Sequence, residues 1–283
     1  MKTIKIVGVP EHFNLPWHLS IENKEFEAEN IDLQWTNILE GTGKMCQMLR
    51  NGETDIAVIL TEGIIKDIEA GNNASIVQVY VQSPLIWGIH VDAKSDFRKL
   101  SDLENKKPAI SRIGSGSHLM SIVNSKNQDW NIENLEFEIV NTIDGAVESL
   151  NSGKADYFLW ERFMTKPLVD SGVFRKICDC PTPWACFVIA VRNETLEKNP
   201  KLIRKILNII NKKTSEFKQI QNIDKLLAAR YGLKIEDIQE WLSLTEWSQE
   251  NLNQETLNKI QNQLFDLKII DKKSTFATIV KSI

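Results

Sequence analysis

Between Ile31 and Gly71 the apolar positions change period repeatedly. Ile31, Leu33 and Trp35 alternate with polar neighbours, as a half-buried strand does. Met45, Met48 and Leu49 share one face of a helix that Thr42 or Gly43 opens and Asn51-Gly52 closes. Asp55–Leu60 is a short apolar run of the kind buried parallel strands show. Strand, helix, strand is a βαβ unit and predicts a parallel sheet. Ligands of such sheets collect at the carboxyl ends of the strands, where helices begin. Here those edges are Glu40–Gly43 and Thr61–Gly63.

The same reading extends both ways. Ile4–Val9 is a first strand, and the loop Pro10–Pro16 leads into a helix carrying Trp17, Leu19 and Ile21. His12, Phe13, Trp17 and His18 therefore lie beside a strand end, although Trp17 can equally pack beneath its own helix. Strands are expected at Ser75–Val81 and Leu85–Val91, followed by the polar stretch DAKSDFRKLSDLENKKP, typical of a chain changing domain. From Ala109 the pattern restarts: AISRIG, SGSHLMSIV, a strand around Phe137–Val140, a helix over Ile143–Leu150 and a strand over Tyr157–Trp160. NGETD and NSGKAD end matching helices in the two halves, a weak internal symmetry. Val188–Val191 is a return strand, and with Leu85–Val91 it gives a double crossing, dividing the chain into 1–90 with 190–283 and 91–189. Asn199-Pro200 opens an amphipathic helix, with the asparagine amide as N-cap, and the helices after it are expected to pad the first lobe.

Composition narrows the class. A chain of 283 residues with 42% hydrophobic positions can bury a sizeable core. Its net charge of −4 and the lack of basic runs interleaved with aromatics argue against nucleic acid. No stretch approaches the roughly 20 apolar residues of a membrane span. MKTIKIVGVPEHF starts with a lysine but then alternates like a strand, without the roughly 7–15 apolar residues of a secretory leader. The expected location is the cytoplasm; the alternative is a periplasmic or lipid-anchored protein whose leader has been replaced by Met1. The cysteines at 178, 180 and 186 form CDC-x5-C, which lacks the paired spacing of zinc sites and has no histidine nearby. Buried or strand-end thiols are expected, with no metal and no cofactor.

Several stretches can carry ligand contacts. IGSGSHLM (113–120) places Ser115 and Ser117 where a strand turns into a helix, aiming backbone N–H groups and hydroxyls at a ligand or simply capping the helix. FLWERF (158–163) puts Trp160 and Glu161 at a strand end; a buried carboxylate there needs a partner, whether ligand or basic side chain. Trp184 precedes the return strand and offers a flat face. The candidate set is Trp17, Glu40, Thr42, Thr61, Glu62, Ser115, Ser117, Trp160, Glu161 and Trp184. Carboxylates and aromatic faces suit an amine-bearing heteroaromatic such as an aminopyrimidine. The helix N-termini argue instead for a sulfonate, phosphate or carboxylate.

EGTG, NGETD and TEG at 40–63, FLWERFMTKPLVDSG at 158–172, TPWACFVIAV at 182–191 and KNPKLIRKIL at 198–207 together resemble type II periplasmic-binding proteins. The likeness is greatest to the branch of thiamine-pyrimidine-precursor and sulfonate binders, and within it to unsecreted members. The resemblance implies a two-lobed α/β fold with a double-strand hinge, closing on a small-molecule ligand. It implies a transporter partner only for an exported form. The alternative is a cytoplasmic enzyme on the same fold, of the thiamine-pyrimidine-synthesis or menaquinone-pathway type. The pyrimidine synthases carry a cofactor-holding lysine and a sacrificial histidine after the third strand, where Ile59–Ile65 has neither, and a dense cysteine run where 183–187 keeps only Cys186. Binding without chemistry is therefore the expected function.

Overall fold

The computed structural model describes residues 1–133 and 135–283 and resolves two compact units, Met1–Ser83 with Trp184–Ile283, and Pro84–Pro183. In the first, the chain runs β1 (Lys2–Gly8), α1 (Leu15–Glu22), α2 (Glu25–Ala28), β2 (Ile31–Asn37), α3 (Thr42–Asn51), β3 (Ile56–Leu60), α4 (Thr61–Glu69) and β4 (Ala74–Val81). The second holds β5 (Ile86–Asp92), β6 (Pro108–Ile110), α5 (Gly116–Asn127), β7 (Glu138–Ile139), α6 (Ile143–Asn151), β8 (Tyr157–Glu161), α7 (Arg162–Asp170) and β9 (Phe174–Pro181). The chain then returns through β10 (Phe187–Arg192), α8 (Asn193–Lys198), α9 (Pro200–Glu216), α10 (Ile223–Tyr231), α11 (Ile235–Leu244), α12 (Gln254–Asp266) and α13 (Phe276–Ile279).

The first sheet has the order β2-β1-β3-β10-β4. The predicted βαβ unit is present, with β1 parallel to both β2 and β3. The sheet is nevertheless mixed, because β10 enters between β3 and β4 antiparallel to each. A strand returning from another unit has no crossover helix to reverse it, so the period-2 signal cannot tell its direction. All eight residues of β4 are buried. Its outer edge is covered by a parallel bridge from Val280 to Ile76 and an antiparallel one from Trp247 to Val81, which protects a long apolar edge from pairing with other chains. Helix α3 ends as its sequence predicts, on Gly52 with φ +73°, the left-handed cap that glycine takes without strain. Asn199 behaves differently: Pro200 opens α9, but the asparagine side chain does not cap it and accepts from Lys2 Nζ instead.

The second sheet has the order β7-β6-β8-β5-β9. Strands β6, β7 and β8 are parallel, and β5 is antiparallel to both β8 and β9. Ala109, Val140, Ala146, Leu150, Phe158 and Phe174 form its core. Strand β9 has no counterpart in the sequence reading. FRKICDCP lacks clean alternation because it is an edge strand, and Arg175, Lys176 and Asp179 mark it as such. The changes of unit fall at 83/84 and 183/184, whereas the sequence pattern puts them at 90/91 and 189/190. The strands themselves set the difference: β5 pairs along its length with β8 and β9, and β10 with β3 and β4. Among the described residues no helix is long and apolar enough to cross a membrane.

Trp17 lies fully buried, stacked at 6.1 Å on Phe26 and inclined against Trp35 and Tyr80. Of the two roles open to it, the packing role is the one the structure realises. Trp17→Ala is expected to destabilise the protein by about 3–5 kcal/mol in urea titration; a loss below about 1 kcal/mol would contradict the packing role.

Candidate functional site

In the first unit the predicted edges meet at the carboxyl end of β3. Leu60 pairs with Phe187, so the residues before β10 run beside the start of α4. Thr61 N–H donates to the Cys186 carbonyl at 3.0 Å, and Thr61 Oγ1 donates to the Ala185 carbonyl at 2.6 Å. One residue on, Trp184 Nε1–H donates to Glu62 Oε2 at 2.8 Å. The run Trp184–Cys186 is thus fastened residue by residue to Thr61-Glu62. Gly63 brings the next helix in: a Cβ there would lie 2.2 Å from Thr42 Cγ2, so only glycine lets the starts of α3 and α4 touch. Thr42, Thr61, Glu62 and Trp184 are therefore together, while Glu40 is exposed in the preceding turn.

Glu62 is 2% exposed, and its Oε1 makes no hydrogen bond within the protein. Loss of water pushes its carboxyl up to about 7, against the hydrogen bonds to its own backbone and to Trp184. Burial likewise drives the Cys186 thiol well above its ordinary range, with Glu62 and Glu11 adding to the rise. Glu11 is a residue the sequence reading missed. It sits in the loop after β1, half-buried, and burial pushes its carboxyl up to about 7 as well. Its position at a strand end was the available signal. Asn14, in the same loop, is also new: it is fully buried, donates Nδ2–H to the Val9 carbonyl at 2.8 Å, and leaves Oδ1 without a partner.

The histidines of this loop take different roles. His12 is fully buried, 4.3 Å from the Trp241 ring and 5.0 Å from that of Phe13, and burial lowers its pKa to about 3. His18 is half-buried and meets the Trp35 ring edge-on at 5.0 Å. Among the described residues the cysteines at 46, 178, 180 and 186 form no disulfide with one another. Among the described residues no three metal-binding side chains come together.

In the second unit Ser115 and Ser117 stand at the start of α5, their hydroxyls 3.0 Å apart. Ser117 Oγ accepts from Ser111 N–H at 2.9 Å, and Ser115 Oγ accepts from His118 N–H at 3.3 Å. The serines are thus engaged in capping α5 and in holding the turn after β6. Glu161 ends β8 and caps α7, its Oε2 accepting from Met164 N–H at 2.7 Å. Nearby, Arg162 pairs with Asp179 at 2.9 Å and Lys166 with Asp170. Trp160 is half-buried, stacked on Phe158 at 5.3 Å and packed against the unit's core.

The Glu62 carboxyl gives stability a pH dependence. The folded form keeps its proton up to about pH 7, while an unfolded glutamate loses it near 4.5. Between these values the folded state holds more protons, so stability falls as pH rises, by about 3 kcal/mol for this group. Glu11 acts in the same direction. His12 acts oppositely, removing stability as pH falls from 6.5 toward 3. Denaturant melts from pH 5 to 8 should show Glu62→Gln with a shallower decline than the parent and higher stability at pH 8; an unchanged slope would refute the raised carboxyl. Separately, Gly63→Ala should cost about 1–3 kcal/mol, and Thr42→Ser, which removes the opposing methyl, should recover most of that loss.

The matches with known proteins agree with this architecture. Residues 87–180 match the model of the Ca3427-like PBP family, about a third of the chain. The CA3427 gene product of Candida albicans, described as having the generic periplasmic binding protein fold, superposes with a TM-score of 0.91 at 24% identity, covering 100% of this chain and 97% of that one. The alkanesulfonate-binding protein SsuA of Xanthomonas axonopodis pv. citri, bound to MOPS, gives 0.85 at 14% identity, covering 100% and 99%. PhnD1 of Prochlorococcus marinus, in complex with methylphosphonate, gives 0.65 at 9% identity, covering 95% and 99%. No curated protein sequence matches the chain. By its two five-stranded sheets and these superpositions, the chain has the two-lobed α/β fold of type II periplasmic-binding proteins.

Proposed function

We propose that this chain is a small-molecule binding protein and that its ligand meets the first unit at Glu62, beside Trp184, Thr42 and Thr61. The observation that carries the reading is the Glu62 carboxyl. One oxygen is held by an indole N–H, the other is buried without a partner, and the group keeps its proton near neutrality. A neutral carboxylic acid donates through one oxygen and accepts through the other. An amine-bearing heteroaromatic presents the complement, a ring nitrogen beside an amino group, and an aminopyrimidine is the simplest such ligand. Pairing at this place also relieves an unsatisfied buried oxygen, which costs about 1–3 kcal/mol while it remains so.

A second reading, an oxyanion ligand, is favoured by the adjoining N-termini of α3 and α4 and by the structural neighbours crystallised with MOPS and methylphosphonate. It requires an anion close to Glu62, which is tolerable only while that carboxyl stays protonated. In the cytoplasm such a protein senses, buffers or delivers a metabolite. Delivery to a membrane importer goes with an exported form.

Thermal melts against aminopyrimidines and alkyl sulfonates separate the two ligand classes. An aminopyrimidine at 100 times its dissociation constant should stabilise by about 2.7 kcal/mol. Glu62→Ala and Trp184→Ala should both abolish that shift. A shift with sulfonates alone would replace the first ligand class by the second, and an aminopyrimidine shift that survives both substitutions would remove the site from β3–α4.

A further inference from the structure

The second unit contains a concavity at the opposite end of its sheet from the Ser115 and Glu161 edge. It encloses about 380 Å³, within the range of about 300–1,000 Å³ common for small-molecule sites. Tyr157, the first residue of β8, and Ser125, near the end of α5, line it together with Trp130, Leu103, Lys107 and Asp156. Helix α5 has 12 residues and therefore separates the two ends by about 18 Å.

The walls are held by the backbone. Lys107 N–H donates to Asp156 Oδ2 and Asp156 N–H to the Lys107 carbonyl, each at 2.8 Å, joining the starts of β6 and β8. Trp130 N–H donates to the Ser125 carbonyl at 2.9 Å and folds the turn after α5 back over the helix end. Ser125 is fully buried, yet its Oγ makes no hydrogen bond of good geometry. Tyr157 is 1% exposed; burial pushes its hydroxyl up to about 12, with the nearby Ser125 side chain acting against the rise. Two hydroxyls able to donate thus lie close together in a cavity, one of them unsatisfied. The charges are balanced, Lys106 and Lys107 against Glu136 and Asp156: Lys107 Nζ lies 3.7 Å from Glu136, and Asp156 accepts from the backbone. A flat indole and a phenol ring supply the apolar surface.

We propose that this cavity is a second binding site, for a small uncharged aromatic bearing an exocyclic carbonyl. The ring lies against Trp130 and Leu103, and the carbonyl oxygen accepts from the hydroxyls of Ser125 and Tyr157. The balanced lysines and carboxylates leave no uncompensated charge to attract an ion, and a hydrogen-bond partner is what the Ser125 hydroxyl lacks.

The test is an NMR titration of the full ¹⁵N-labelled chain with nicotinamide and benzamide, following the Trp130 indole N–H, assigned through Trp130→Phe. Benzoate and cyclohexanecarboxamide serve as the charged and non-aromatic counterparts. Nicotinamide or benzamide should move the Trp130 signal with saturation in the millimolar range or below. Ser125→Ala and Tyr157→Phe should each weaken binding by roughly tenfold, the size of one hydrogen bond. Ser125→Ala should leave the melting temperature unchanged or raised, because it deletes an unpaired hydroxyl. No movement of the Trp130 signal, equal affinity for benzoate, or undiminished binding in both variants would overturn the proposal.

Discussion

The structure around β3 depends on keeping one carboxyl out of water with little to compensate it. A buried ionised glutamate needs partners on both oxygens, and Glu62 Oε1 has none among the described residues, while Oε2 is held by the indole N–H of Trp184. The cheaper state is the neutral acid, and a neutral acid is also the state able to donate. Thr61 contributes by tying its backbone and hydroxyl to Cys186 and Ala185, which fixes where Trp184 stands. Gly63 contributes by having no side chain, so that Thr42 can close on it. Stability is given up at Glu62 in exchange for an unsatisfied polar atom at a strand end, a pattern expected of functional sites.

Chain order explains why these residues come together. Two stretches far apart in sequence, 61–63 and 184–186, become neighbours because the return strand β10 inserts beside β3. Its first paired residue, Phe187, lies opposite the last of β3, Leu60, so whatever precedes β10 must face whatever follows β3. The segment between them folds into a unit with its own sheet and core. The juxtaposition of Thr61, Glu62 and Trp184 is thereby set by a register.

Much of this was legible in the sequence because its causes are local. The βαβ stretch from Ile31 to Leu60, the glycine cap at Gly52 and the place of Thr61 and Glu62 after a strand follow from periodicity and punctuation, whereas their meeting with Trp184 follows from the register of β10 against β3. What was not legible arises from tertiary context. Strand β9 carries charges because it is an edge, and charge hides a strand from pattern reading. Trp17 looked able to serve either core or ligand, and only the positions of Phe26, Trp35 and Tyr80 decide it. The strand-end position of Glu11 is legible, but the burial that raises its carboxyl comes from tertiary packing. Ser115 and Glu161 were placed correctly at strand ends, but a cap and a ligand contact use the same atoms, and both caps are made here.

A ligand site at Glu62 of the kind proposed requires that side chain to be protonated near neutrality, which can be observed directly. A ¹³C NMR titration of the glutamate carboxyl carbons, with Glu62 assigned through Glu62→Gln, should show that resonance titrating near pH 7, with Trp184→Phe pushing the midpoint higher as the stabilising N–H is lost. A midpoint in the ordinary carboxylate range, near 4.3, would mean that Glu62 is ionised at neutrality and would contradict the neutral-acid site.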